Sequence, residues 1–208
     1  ALVCIGLTQN NRVGVTVFGL PEAQEGVSAG MARLGDLRGR RNIRRVGHFL
    51  LDTLWAQEHT SASRSGAGSF SESLRTIARL RVGKGVMLVL SDFLAPEGYE
   101  PGLKALAAAG GYDVYCIQIL SPGELEPETE SERGLTGDLR LTDIESGHAT
   151  EVTLTPALLR RYKQRLADYC ERLESFCAAR EMRRLLVRSD ADIESLVMNT
   201  LRRAGVVG

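Results

Sequence analysis

Residues Lys84 to Pro96 read KGVMLVLSDFLAP. The apolar run Val86–Leu90 is short and unbroken, the pattern of a strand buried on both faces of a parallel sheet. It ends on two polar residues, Ser91 and Asp92, ahead of the Pro96-Glu97-Gly98 turn. In an open α/β sheet, ligands bind in the crevice beyond the carboxyl ends of the strands, so a carboxylate at that point is a site candidate.

On either side of this run the pattern alternates. Ser69 or Ser71 caps a helix running through Leu80, with Leu74, Ile77 and Leu80 inward and Glu72 in the first turn. Glu100–Ala109 is a short helix ended by the pair Gly110-Gly111, and Tyr112–Leu120 is a second buried strand. Helix, strand, helix, strand in this order builds a doubly wound, mostly parallel sheet with helices on both faces.

Further out, Ala1–Thr8 reads as the last turns of a helix. In Arg12–Phe18, Val13, Val15 and Val17 alternate with Gly14 and Thr16, which predicts a strand. Gly19–Arg38 holds at most a short edge strand near Met31–Leu34. Ile43, Val46, Leu50 and Leu54 recur at helical spacing, so Asn42–Gln57 is an amphipathic helix. Glu58–Gly68 and Ser121–Thr136 read as polar loops. Asp138–Ile144 and Glu151–Leu154 flank Ser146-Gly147 as a hairpin, which the alternating pattern places outside the main sheet. A long helix follows Pro156, carrying Leu159, Tyr162, Leu166, Tyr169, Leu173 and Phe176. Arg184–Arg188 is a last strand and Ile193–Arg203 a last helix, stopped by Gly205.

The composition narrows the function classes. The 208 residues are 43% hydrophobic, enough to bury the core of a single domain, taken as residues 1–208 with a hairpin insertion at about 136–154. Formal net charge is zero, which argues against a non-specific polyanion binder. No apolar run reaches the roughly 18 residues a membrane span needs. The chain opens on Ala1 with ALVCIGL, neither long enough nor flanked correctly for a signal peptide, and the start reads as a cut end. Cys4, Cys116, Cys170 and Cys177 form no CxxC pair and read as buried free thiols, which places the protein in a reducing cytoplasm.

Few residue types carry catalytic chemistry. His48, His59 and His148 are scattered and give no metal-ligand spacing, and no Gly-x-Ser-x-Gly elbow exists. A hydrolase is therefore the weakest of the readings. Asp92 is either a metal ligand or an Asx-type turn residue, and Ser91 either orients it or satisfies a backbone group. Arg38, Arg40, Arg41, Arg44 and Arg45 lie ahead of and within the first turn of a helix, where cations oppose the dipole. They are a binding surface for an acidic partner or a solvated face.

With the elements placed, six stretches stand out: NRVGVTVFG, RGRRNI, VMLVLSDFLAPEGYE, YDVYCIQILSPGELEP, GDLRLTDIESG and the closing LRRAG. Through them the chain resembles the carboxyl-terminal two-thirds of a bacterial von Willebrand factor A-like protein, of the family catalogued as domain of unknown function fifty-eight. It implies a metal-ion-dependent adhesion site on the carboxyl edge of the sheet, holding Mg²⁺ or Ca²⁺ through hard oxygen ligands. Asp92 corresponds to the Asp after the fourth strand of that fold, and Ser69, with Ser71 beside it, to the hydroxyl from the second loop. The Asp-x-Ser-x-Ser loop after the first strand has no counterpart here. Ser61-x-Ser63-x-Ser65 lacks the leading Asp and the preceding strand, and reads as a linker. One carboxylate and one hydroxyl are too few to hold a cation tightly, so weak or no metal binding is expected of this chain.

The resemblance also implies a non-enzymatic protein-interaction module, a MoxR-type AAA+ ATPase as partner, and a chaperone-like or assembly role. The alternative is a metal-independent scaffold of the same fold that binds an acidic partner through the arginine cluster. In this fold the first strand lies between Arg12–Phe18 and Val86–Leu90. Without it, Val13–Val17 is expected either to pair directly with Val86–Leu90 or to leave an open slot.

Overall fold

The structure, a computed structural model, describes residues 1–20, 30–59, 69–80, 83–127, 138–142, 149–153 and 155–206. The fold is mixed α/β, with a parallel three-stranded sheet flanked by helices. The described residues fall into two compact units, one drawn from Ala1–Arg81, Pro101–Ala105 and Asp192–Gly208, the other from Val82–Glu100 and Leu106–Ala191.

In the first unit, α1 (Leu2–Thr8) is followed by β1 (Val13–Phe18) and β2 (Met31–Leu37). Alternating valines make β1 a strand as expected, but its partner is β2, antiparallel, with Thr16 opposite Arg33 and Phe18 opposite Met31. Direct pairing of Val13–Val17 with Val86–Leu90 is therefore not what forms. The pairing also extends β2 well past the short edge strand read at Met31–Leu34. A 3₁₀ turn, Arg40–Asn42, leads into α2 (Ile43–His59). Leu7, Leu37 and Val46 form a buried cluster, with Val3, Val13, Val15, Leu34, Ile43 and Leu50 packed against it.

Two inward assignments are corrected here. Leu54 of α2 is exposed, and the buried position on that turn is Thr53, whose hydroxyl is satisfied by donating to the Phe49 carbonyl at 2.6 Å. Leu51 and Trp55 also face outward, 67% and 66% exposed. In α3 (Phe70–Leu80), Leu80 is exposed while Ser71 and Ser73 are buried with Leu74. The reason is a close approach: a Cβ built on Gly102 would lie 3.0 Å from Leu74 Cδ1 and 3.0 Å from Ser71 Cα. Small residues let that face of α3 come near, and the helix is oriented by its small face as much as by its leucines.

The second unit holds the parallel sheet, in the order β3 (Gly85–Ser91), β4 (Tyr112–Leu120), β7 (Arg183–Arg188). Leu90 is opposite Ile117, and Ser91 opposite Gln118. β4 is the central strand, with Val114 through Gln118 all buried. β3 departs from expectation. It is an edge of this sheet, and Val86 and Leu90 are 53% and 49% exposed, although the run reads as buried on both faces. Apolar content decides that a strand forms, whereas burial depends on what lies beside it.

Between β3 and β4 runs α4 (Glu100–Ala109), closed by Gly110 and Gly111 at φ 63° and 78°, a backbone region that favours glycine. A four-residue helix, α5 (Pro122–Leu125), replaces the loop expected there. Its capping box explains it: Ser121 Oγ accepts from the Glu124 N–H at 3.2 Å, and Glu124 Oε2 accepts from the Ser121 N–H at 2.6 Å. β5 (Asp138–Thr142) and β6 (Ala149–Thr153) form an antiparallel hairpin of their own, with Val152 opposite Leu139, so it does stand outside the main sheet. Its turn, 143–148, lies outside the described residues. The long helix α6 (Pro156–Ala178) starts at a Thr155 cap and packs on β7. The chain's last helical segment, α7 (Ile193–Ser195) with the wider turns Leu196–Leu201, returns to the first unit.

Candidate functional site

Where β3 ends, the chain turns through Ser91-Asp92-Phe93-Leu94, and each group in the turn is held. The Phe93 N–H donates to Ser91 Oγ at 3.0 Å, and the Leu94 N–H donates to Asp92 Oδ1 at 2.9 Å. The second bond is the Asx-type turn that the residue order allows. Ser91 Oγ thus satisfies a backbone group, and it also lies 3.4 Å from Asp92 Oδ1.

Phe93 adopts φ 61°, the left-handed region that a bulky residue avoids. Burial of its side chain, which is fully enclosed, offsets that cost. The turn is also fastened to the scaffold at two points. Gln118 Nε2 donates to the Asp92 carbonyl at 3.0 Å, and Tyr169 Oη donates to the Phe93 carbonyl. Tyr169 is held by an edge-to-face contact with Tyr99 at 5.6 Å, and Tyr99 packs likewise on Phe176 at 5.4 Å. Burial, followed by the nearby Tyr99, Glu100 and Asp92, pushes the Tyr169 hydroxyl up to about 12, so it stays a donor.

The carboxylate is thus divided. Asp92 Oδ1 serves the turn, while Oδ2 makes no hydrogen bond among the described residues and the side chain is exposed. Such a group can accept a hydrogen bond or contribute one oxygen to a cation. Behind it, Gln118 Oε1 accepts from Arg184 Nε at 2.9 Å and Nη2 at 2.5 Å, with Cys170 Sγ at 3.6 Å. Arg184 is in turn 3.5 Å from Glu174. Gln118, Tyr169 and Arg184 were not singled out from the sequence. The one local signal is a glutamine inside the otherwise apolar run VYCIQIL, Val114–Leu120.

Ser69 and Ser71 belong to the first unit, and Asp92 to the second. Ser69 Oγ accepts from the Glu72 N–H at 3.5 Å, as a residue capping α3 does, and Ser71 is buried on that helix. Arg38, Arg40, Arg41, Arg44 and Arg45 are all exposed and make no ion pair among the described residues. Ser61, Ser63, Ser65 and His148 lie outside the described residues. No group of three or more His, Cys, Asp or Glu that could hold a metal ion occurs among the described residues.

Comparisons with known proteins find chains of similar sequence. Uncharacterized protein Mb1516 of Mycobacterium bovis and uncharacterized protein Rv1480 of Mycobacterium tuberculosis are each 29% identical over 131 residues, covering 62% of this chain and 37% of theirs. Uncharacterized protein MAV169 of Mycobacterium avium is 29% identical over 92 residues, covering 44% of this chain and 49% of its own. The chain thus spans less than half the length of these curated relatives. No solved structure matches it significantly. The model of the family described as protein of unknown function DUF58 matches residues 2–172, which include both strands and the turn that carry Asp92 and Gln118, and the chain belongs to that family.

Proposed function

We propose that this chain is part of a non-enzymatic protein-interaction module of the von Willebrand factor A-like type, in which the carboxyl edge of β3 is the docking point and Asp92 its acidic anchor. One observation carries the reading. Asp92 presents an uncommitted, exposed oxygen from a turn whose two central peptide groups are each fastened at both ends. Rigid presentation of one charged group lowers the ordering cost of binding. The resemblance supports a MoxR-type AAA+ ATPase as the partner and a chaperone-like or assembly role. Four free thiols, two of them buried, favour a reducing compartment, the cytoplasm.

The Mg²⁺ or Ca²⁺ that the resemblance implies would take Asp92 as one hard oxygen ligand. The described residues fit that ion in part only, since among them Asp92 belongs to no group of three or more His, Cys, Asp or Glu that could hold a metal ion. The test is a Mg²⁺ titration of the full-length protein by calorimetry. Heat for wild type that disappears in Asp92→Ala supports the metal edge. No heat for wild type, or unchanged heat for Asp92→Ala, sinks it.

A second reading, a metal-independent scaffold that binds an acidic partner through Arg38, Arg40, Arg41, Arg44 and Arg45, is favoured by one feature of α2. Arg44 lies on the same outward stripe as His48, Leu51 and Trp55, opposite Val46 and Thr53. Reversing Arg44 and Arg45 to Glu abolishes partner binding under this reading and leaves it intact under the first.

A further inference from the structure

A glutamine with no exposure at all in the central strand of a sheet is costly unless its amide is hydrogen-bonded at both ends. Leucine in its place would bury apolar surface at no such cost. In Gln118 the side-chain nitrogen donates to the turn after β3, while the side-chain oxygen accepts from Arg184 and from the Cys170 thiol at 3.6 Å. From these contacts the structure assigns Gln118 as the positioning residue for the Asp92 carboxylate, set in its orientation by Arg184. This rests on the reading of Asp92 as the docking point.

Two peptide groups flank Phe93. The first, joining Asp92 and Phe93, has its oxygen held by Gln118 Nε2 at 3.0 Å and its N–H by Ser91 Oγ at 3.0 Å. The second, joining Phe93 and Leu94, has its oxygen held by Tyr169 and its N–H by Asp92 Oδ1 at 2.9 Å. Asp92 travels with the turn and Ser91 is the last residue of β3, so their bonds cannot tie it to any element beyond that strand. Gln118 and Tyr169 can, and Gln118 holds the carbonyl of Asp92 itself. Rotating that peptide would swing the Asp92 side chain with it.

Which end of the Gln118 amide faces Asp92 is settled by charge. The Arg184 guanidinium can only donate, so it requires the amide oxygen and takes it with two N–H groups at 2.9 and 2.5 Å. The NH₂ is then left pointing at the Asp92 carbonyl. Arg184 is itself only 11% exposed and lies 3.5 Å from Glu174, so the whole chain of contacts is anchored on α6.

The test uses the full-length protein with Gln118→Glu, which keeps the acceptor for Arg184 but loses the donor to Asp92. Gln118→Met, uncharged and similar in volume, serves if a buried carboxylate unfolds the sheet. Amide exchange by NMR is read at Phe93 and Leu94, and again at Ile117 and Ile119 of β4, together with affinity for Mg²⁺ alone. Loss of one buried hydrogen bond predicts about tenfold faster exchange at Phe93 and Leu94, with β4 changing less than about twofold and Mg²⁺ affinity falling about tenfold. Unchanged exchange at Phe93 and Leu94 would overturn the assignment, as would equal acceleration across β4, which marks a core filler. Loosened amides with unchanged Mg²⁺ affinity would overturn it too, because the carboxylate would then not depend on the tie. If wild type takes up no Mg²⁺, the metal reading fails, and the amide pattern alone decides whether Gln118 positions the turn.

Discussion

The phenol of Tyr169 on α6 donates to the main-chain oxygen of Phe93, 76 residues earlier in the chain. A helix is thereby fastened to the turn that follows a strand, at the residue whose backbone is least comfortable. Replacing Tyr169 by Phe keeps the ring packing on Tyr99 and removes only this bond. The expected cost is about 1 to 2 kcal/mol in urea unfolding, since a buried carbonyl loses its partner.

The same hydroxyl has a pH signature. Burial and its acidic neighbours raise it from 10.0 to about 12. Because the folded form binds this proton more tightly, its contribution is fully present below pH 10.0 and is lost as pH rises through about 12. Wild type therefore loses stability across that window. Tyr169→Phe lacks this part of the loss, and parallel alkaline curves for the two proteins would show that the hydroxyl does not titrate in the fold.

Phe93 is held in the left-handed region by full burial of its ring. Phe93→Ala removes the burial and keeps the backbone cost, so a loss of about 3 to 5 kcal/mol is expected. A loss under about 1 kcal/mol, measured by the urea midpoint, would mean the ring is not what stabilises the turn.

Gly102 separates two effects of opposite sign. Alanine at a helical position gains about 1 kcal/mol over glycine from propensity. Against that, the new Cβ would meet Ser71 Cα and Leu74 Cδ1 at 3.0 Å, and a backbone atom cannot swing away. Overpacking of this kind costs about 1 to 3 kcal/mol. Gly102→Ala is thus expected to be destabilised by about 1 kcal/mol and Gly102→Val by more. A thermal midpoint that rises in Gly102→Ala would contradict the close approach.

Cys116 and Cys177 are both fully buried. The neighbouring Cys177, and then burial, raises the Cys116 thiol, while the neighbouring Cys116 lowers Cys177. An aromatic disulfide reagent should therefore modify only Cys4 and Cys170 quickly in the native protein, and all four cysteines in urea. Rapid reaction of more than two thiols without denaturant would show that the β4–α6 layer opens.

Asp92→Asn retains an acceptor for the Leu94 N–H and removes the charge. Unfolding is expected to shift by less than about 0.5 kcal/mol while partner or Mg²⁺ binding is lost. A large stability change would instead make Asp92 a folding residue.

Periodicity along the chain determined which elements exist. Tyr112–Leu120 is a buried strand, Pro156 opens a long helix, the hairpin stands apart, and a carboxylate follows Ser91 at the end of a strand, all as the order of apolar and polar residues dictates. These are short-range properties, set within a few residues by backbone geometry and side-chain spacing. Tertiary structure decided who lies beside whom: β1 joins β2, β3 takes an edge and keeps Val86 and Leu90 exposed, and Leu54 and Leu80 face out where Thr53 and Ser73 face in. The site's fixity was decided there too. Gln118, Arg184 and Tyr169 meet the turn or one another across 26, 66 and 76 residues of chain. Contacts of that separation leave no period in the sequence, because they arise only once the strands and helices have packed and buried polar groups such as the Gln118 amide have met their partners.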